Sequence, residues 1–493
     1  MRALLPARTG RGAPELGGRA VNGVTPSDLA LLLPELILIG AALVLLLTAH
    51  RTRTTSVGTT VTLLAAIAAL WAAGRVSPDA SASGFGGMLA ADGYARYFRV
   101  LFCAGLAVVA LLSERRIRET GIPRPEYHTL LLLASVGMML AASSADLLPL
   151  YLALELITIC AYVLVGIRVE RPLANEAAIK YFLSGSFASA LMLLGISLTY
   201  GLTGTTEFAG IASSLAADGD GASPLLICGL GLICGGLAFK VAAVPFHAWA
   251  PDTYQGASAP VAAFLAAGSK AAGLAALCRV VVAAFGPQAE VFSTMLAALA
   301  ALSVVLGSLV AAAQTDMKRL LAYSSIAHAG FALMGIAAGT AEGAAATMTY
   351  AGFYVFMTLG AFGMVIALGE RGERVDGYRG LAAQRPVAAA GMLLFLLSLT
   401  GIPLTAGFTA KFSVIQSAIH AGRTELAVLA VLSSVVAAFV YMRVAVGMYM
   451  KEPCEPEPAR IAPTVCLALV FAALVTLAGG LFPGILDSWT VAP

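Results

Sequence analysis

Residues 232–249 read LICGGLAFKVAAVPFHAW. Lys240 stands inside an apolar stretch, and Pro245 then removes a backbone donor five residues on. A charge at the centre of a bilayer costs roughly 2.5–3.5 kcal/mol on insertion scales. Such a lysine faces a protein interior or a wet cavity and marks ion or proton movement. The pattern recurs outward from this point. Lys270 lies in PVAAFLAAGSKAAGLAAL (260–277), Lys411 in LTGIPLTAGFTAKFSVIQ (399–416), Lys180 in NEAAIKYFLSGSF (175–187) and Glu155 in LLPLYLALELITICAYVLVG (147–166). Snorkelling rescues one lysine near a helix end but not several with apolar flanks on both sides.

The 493 residues are 59% hydrophobic and 12% charged, against about 25% charged in a soluble domain. The composition defines an all-α polytopic membrane protein. Apolar runs long enough for about 30 Å of hydrocarbon fall at 28–48, 57–75, 94–113, 127–144, 147–167, 181–201, 224–249, 258–285, 291–313, 320–339, 345–368, 388–419, 424–450 and 462–484, about fourteen transmembrane helices. Ala145-Asp146 alone separates the fourth and fifth. Residues 1–27 are rich in Gly, Pro and Arg, lack the apolar core of a signal peptide and are expected to be a disordered extension.

The net charge of +3 and the lack of a basic cluster interleaved with aromatics exclude nucleic acid. The seven cysteines form no CxxC pair and read as small buried hydrophobes. No dinucleotide fingerprint, phosphate loop or HExxH motif is present. The chain is therefore expected to bind no cofactor and no metal, and redox chemistry falls to a partner. Loops after odd-numbered helices hold most basic residues, among them Arg115, Arg116, Arg168, Lys318, Arg371, Arg385 and Arg460. Those loops should be cytoplasmic and both termini outside. Arg75, Arg96, Arg99 and Arg423 are the few around even-numbered loops.

Two runs carry breaks. The run 388–419, about 48 Å as one helix, is interrupted at GIPLTAG (401–407), and the run 224–249 at Pro245. Interrupted helices at matching places in two halves mark a transporter's ion site. The breaks fall in the seventh and twelfth helices, which fits two five-helix inverted repeats. The corresponding division is 28–126 for helices 1–3, 127–285 for the first repeat, 286–450 for the second and 451–493 for the C-terminal helix.

Each charged position has a bland reading beside the functional one. Lys240 and Lys411 cap loose carbonyls at the breaks, or they exchange protons in a hydrated channel. Burial can bring a lysine from its usual value near 10.4 toward neutrality. Lys270 sits among Gly268, Ser269 and Gly273, which leave room for close packing and water. Lys180 begins the sixth helix and either snorkels or takes part. Glu155 needs a cation, and Lys240 is the natural partner. His328 relays protons between Lys270 and Lys411, or is a bonded core histidine. Lys240 should end a half-helix at its negative pole. Lys411, after Gly407, should occupy the first turn of another at its positive pole, so that one holds a proton and the other releases it.

Three segments carry a family likeness: residues 239–273, KRLLAYSSIAHAGF (318–331) and GIPLTAGFTAKF (401–412). They resemble the proton-pumping subunits of respiratory complex I and their relatives in multisubunit cation/proton antiporters. The resemblance covers essentially the whole chain after residue 27. It implies a Glu155–Lys240 pair, a further Lys180, a central Lys270 and an exit-side Lys411, in a subunit that translocates protons while partners oxidise NADH and reduce quinone. It implies that flavin, iron–sulfur clusters and quinone belong to those partners. The other partners it implies are neighbouring antiporter-like and small membrane subunits and the lipid of the bacterial inner membrane. A Na⁺/H⁺ antiporter subunit and a non-pumping scaffold are the other readings.

Overall fold

The computed structural model describes residues 25–52, 56–76, 83–218, 223–458 and 460–493. The expected extension at 1–27 lies almost wholly outside the described residues. Eleven helices are long and apolar enough to cross a membrane by length and composition, and Leu33–Leu47, Pro224–Lys240 and Pro386–Thr400 are shorter apolar helices. Together these match the fourteen apolar runs. Between the second and third, a two-stranded hairpin pairs Ser83–Gly84 with Leu89–Ala90. It and the helix Phe208–Asp218 are elements that the hydropathy pattern did not announce.

Local chemistry sets the boundaries. Helix Arg124–Ser143 ends three residues before Asp146, whose carboxylate accepts from the Leu148 backbone and caps Leu147–Val165. That single aspartate is why Ala145-Asp146 suffices to divide the pair. The sixth helix starts at Pro172, earlier than its apolar run, because Pro at the first position is preorganised for a helix. It spans Pro172–Thr203, so Lys180 lies in its third turn, not at its start.

Both breaks are real and differ in form. Pro224–Lys240 ends on the lysine itself. The chain then turns through Ala242 at φ 57° and resumes as the short helix Trp249–Gly256, where the seventh run had been expected to stop. Pro386–Thr400 ends at Gly401, φ +91°, and Ala406–His420 follows. A Cβ on Gly401 would stand 2.9 Å from the Lys411 Cδ, and one on Gly407 would stand 1.7 Å from the Ser398 carbonyl oxygen. Only glycine lets the two half-helices approach this closely.

Helices Ala259–Ala284, Met317–Ala337 and Ala341–Leu368 are almost wholly buried, while Pro172–Thr203, Thr424–Met450 and Pro463–Leu481 present much of their surface outward. The first three form the interior of the bundle. The first helices dock on it through Tyr94, whose hydroxyl donates to the Ala275 carbonyl (2.8 Å), and Tyr97, which donates to that of Met348 (2.8 Å). Loops after the third, fifth, ninth, eleventh and thirteenth runs meet on one face. There Arg116 (3.3 Å) and Lys318 (3.4 Å) both approach Glu373, Arg171 lies 3.6 Å from Glu370, and Arg374 pairs with Glu455. The basic loops therefore share one side.

Candidate proton path

The Glu155–Lys240 pair sits where the seventh run breaks. Lys240 Nζ lies 3.3 Å from Glu155 Oε1 and donates to Thr158 Oγ1 (2.5 Å). Ser189, on the neighbouring helix, donates to the same carboxylate oxygen. Thr158 lies three residues beyond Glu155, so one helix face supplies both acceptors. Lys240 is buried, whereas the Glu155 side chain keeps 23% of its surface open.

Lys270 is deeper, 1% exposed on an interior helix. A π-helical turn over Leu265–Ser269 precedes it, a local irregularity of the kind that often marks functional positions. Its ammonium donates to both the hydroxyl (2.7 Å) and the carbonyl (2.8 Å) of Ser325. No carboxylate meets it among the described residues. Gly273, one turn on, brings this helix against the Lys240 backbone: a Cβ there would stand 3.3 Å from Lys240 Cβ. Ser325 and His328 occupy successive turns of one helix. His328 is buried, shares a hydrogen bond with the Tyr350 hydroxyl through Nδ1 (2.5 Å), and lies within electrostatic range of both Lys270 and Lys411.

Lys411 is buried beside the second break. Its ammonium donates to the Thr400 carbonyl (2.8 Å), approaches Ser434 Oγ (3.4 Å) and rests over the Phe331 ring, 4.4 Å from its centroid. This corrects the expected placement. Lys411 is the sixth residue of Ala406–His420, in its second turn, because the helix begins before Gly407. Its ammonium reaches back to the carbonyl end of the upstream half-helix. Both break lysines thus meet negative helix poles, and the opposed tuning read from the break positions has no counterpart in the geometry.

Lys180 stands apart from this line. It is half exposed and pairs with Glu176 (2.7 Å) and Asp252 (2.9 Å); Asp252 also receives Arg319 (2.7 Å). The structure thus brings Glu155, Lys240, Lys270, His328 and Lys411 inward and leaves Lys180 in a charged network at the basic face. Direct hydrogen bonds do not join Lys240 to Lys270, or His328 to Lys411, among the described residues.

Several polar groups escaped the sequence reading. Ser189, Thr158, Ser325, Tyr350 and Ser434 hold the charged groups, but hydroxyls barely interrupt an apolar run. Their one signal was spacing, as with Tyr350 and the buried Tyr354 one turn apart. Arg99 had been counted near an outer loop. It is instead 1% exposed and donates to Glu35 (2.7 Å), itself 1% exposed, between the first and third helices. Arg279 forms a second such lock, bidentate with Asp92 (2.8 Å for both bonds).

Buried ammonium groups and one carboxylate, strung through helices broken at matching positions, define a membrane subunit of the antiporter-like class. Residues 144–437 match the family described as NADH:quinone oxidoreductase/Mrp antiporter, transmembrane, and the chain belongs to it. It is 42% identical to NADH-quinone oxidoreductase subunit N of Desulfovibrio desulfuricans, over 94% of this chain and 96% of that one. It is 42% identical to the subunit N of Rhodospirillum rubrum, over 92% and 94%. Among solved structures, a chain of respiratory complex I from Thermus thermophilus with bound aureothin is 35% identical, with a TM-score of 0.79 over 92% of this chain and 98% of that one.

Proposed function

We propose that this chain is the N-type subunit of a bacterial NADH:quinone oxidoreductase and carries protons across the membrane. Protons enter near Glu155 and Lys240, pass to Lys270, continue through His328 and leave from Lys411. On this reading the basic face is cytoplasmic and both termini lie outside. The two repeats, 127–285 and 286–450, supply one broken helix each. Lys180 and Asp252 belong to the entry face. Partner subunits hold the flavin, the iron–sulfur clusters and the quinone, and this chain has no redox centre.

The observation that carries the reading is Lys270, an ammonium on an interior helix whose hydrogen-bond partners are a serine hydroxyl and a carbonyl. A purely structural role would favour an apolar residue of that volume, since isolated buried charge is costly. The driving force is of a suitable scale. One charge moved across 100 mV takes about 2.3 kcal/mol, and each tenfold change in a group's proton affinity supplies about 1.4 kcal/mol.

The test is Lys270→Met in the intact complex, reconstituted in liposomes. Quinone-linked proton uptake should fall several-fold while NADH oxidation by an artificial electron acceptor persists. Full proton uptake per quinone reduced by that variant would leave the chain a scaffold.

A further inference from the structure

A groove of about 750 Å³ runs between Pro386–Thr400 and Pro463–Leu481. Its lower walls are small or apolar, including Gly391, Leu394, Val470 and Ala473, with Phe395 and Met364 behind them. Val387 (85%) and Val470 (56%) are exposed on its rims, so it opens to the outside of the bundle. Its other end carries two arginines, Arg385 and Arg460. Arg385 immediately precedes one of the helices that wall the groove and Arg460 lies three residues before the other, on the face where the basic loops gather.

We propose that this groove binds an anionic phospholipid, with its phosphate between Arg385 and Arg460 and an acyl chain along Gly391 and Ala473. Length supports this occupant. From Arg385 to Phe395 a helix rises about 15 Å, which is one leaflet's share of a hydrocarbon core of about 30 Å. Charge supports it too. The Arg460 guanidinium has no ion pair or hydrogen bond among the described residues, while its carbonyl accepts from Arg115 (2.7 Å), which fixes the backbone beneath it. Arg385 is held by Glu457 (3.0 Å from Nε) and donates from Nη2 to the Pro458 carbonyl (3.2 Å). A guanidinium has five N–H donors, so Arg385 keeps capacity for a phosphate. Glu457 offsets one of the two positive charges, and the site retains a net positive end. Basic pockets between transmembrane helices select anionic head groups. A zwitterionic lipid would bring its own cation against two guanidinium groups.

Small residues make the groove possible. A Cβ on Gly391 would touch only Met364 Sδ, at 3.7 Å. A larger side chain there fits the fold and fills the space meant for the acyl chain.

The experiment uses the intact complex in mild detergent with photoactivatable phosphatidylglycerol and, separately, phosphatidylcholine of the same acyl chains. Labelled peptides are mapped by mass spectrometry. Phosphatidylglycerol should label the 386–395 and 463–473 segments in preference to phosphatidylcholine. Arg460→Gln, which removes a guanidinium with no hydrogen bond or ion pair among the described residues, should weaken that labelling about fivefold, the effect of one basic group near a membrane surface. Gly391→Leu should abolish it with both arginines in place. Equal labelling by the two lipids, labelling unchanged in Arg460→Gln, or no labelling of either segment because a protein neighbour covers the groove would each overturn the assignment.

Discussion

Lys411 donates to the carbonyl of Thr400, the last residue of the half-helix upstream of its own, at 2.8 Å. Lys240 is itself the last residue of a half-helix, immediately before the first break. Each broken helix therefore presents an ammonium to a negative helix pole. The difference between the two lysines lies in their other partners. Lys240 has a carboxylate within 3.3 Å, whereas Lys411 has a hydroxyl and an aromatic face. The asymmetry between the two breaks therefore lies in Glu155, which has no counterpart beside Lys411 among the described residues, and not in the helix poles.

The geometry at the second break can be tested without touching the lysine. Gly401→Ala puts a Cβ at a positive φ, a conformation that costs an L-residue roughly 1–2 kcal/mol, and within 2.9 Å of Lys411 Cδ. The lysine must move. Proton uptake by the reconstituted complex is expected to fall several-fold with assembly retained. Gly74→Ala, where a Cβ meets nothing within 4 Å, should leave it unchanged. Equal rates in the two variants would show that the position of Lys411 does not matter to transport.

Glu155 and Lys240 should behave as one unit in a double-mutant cycle. Glu155→Gln leaves a buried ammonium with Thr158 as its main partner, and breaking a fully buried pair costs about 3–5 kcal/mol. The open side of Glu155 reduces that figure. Lowered thermal stability is expected in the single variant, with recovery on adding Lys240→Met, because the uncompensated charge is then gone. Proton uptake should be lost in both. Additive stability losses would mean the two groups do not interact in the membrane.

The sequence made the charged half of this path legible and left the neutral half hidden, for an energetic reason. A charged group in an apolar run costs enough to stand out, so Lys240, Lys270, Lys411 and Glu155 are visible in the sequence itself. Ser325 and Tyr350 cost little in the same setting, and only the packing of interior helices shows that they hold Lys270 and His328. Pro403 and Pro245 marked the breaks, but a proline does not say where the next helix begins. The start at Ala406 moved Lys411 one turn deeper than its distance from Gly407 implied. Arg99 was visible and misplaced, because its partner Glu35 is 64 residues away.

Tyr350 offers a neutral test of the His328 step. Tyr350→Phe keeps the ring that stacks on Phe331, with centroids 6.4 Å apart, and removes only the hydroxyl bonded to His328 Nδ1. If protons pass this ring, losing one hydrogen-bond partner should slow uptake several-fold and shift its pH profile, with stability changed by only about 1 kcal/mol. A pH profile identical to the parent would assign His328 to packing alone.

The Asp92–Arg279 lock makes a prediction about acid stability. Burial pushes the Asp92 carboxyl up, but the hydrogen bonds and charge of Arg279, with help from the Ala95 amide, outweigh this and hold it below the ordinary carboxylate range. The unfolded chain titrates near about 3.9. A carboxylate depressed in the folded state contributes its full stability above that value and loses it as pH falls through the folded one. The intact complex should therefore show no loss from this lock between neutral pH and about pH 5, and a progressive loss below about pH 4. Asp92→Asn should be less stable at neutral pH, by up to about 3 kcal/mol for an uncompensated buried guanidinium, and should converge with the parent as acid protonates Asp92. Thermal unfolding of both proteins across this range reads the difference directly. A gap that stays constant down to pH 3 would show that the bidentate pair contributes through packing and not through charge.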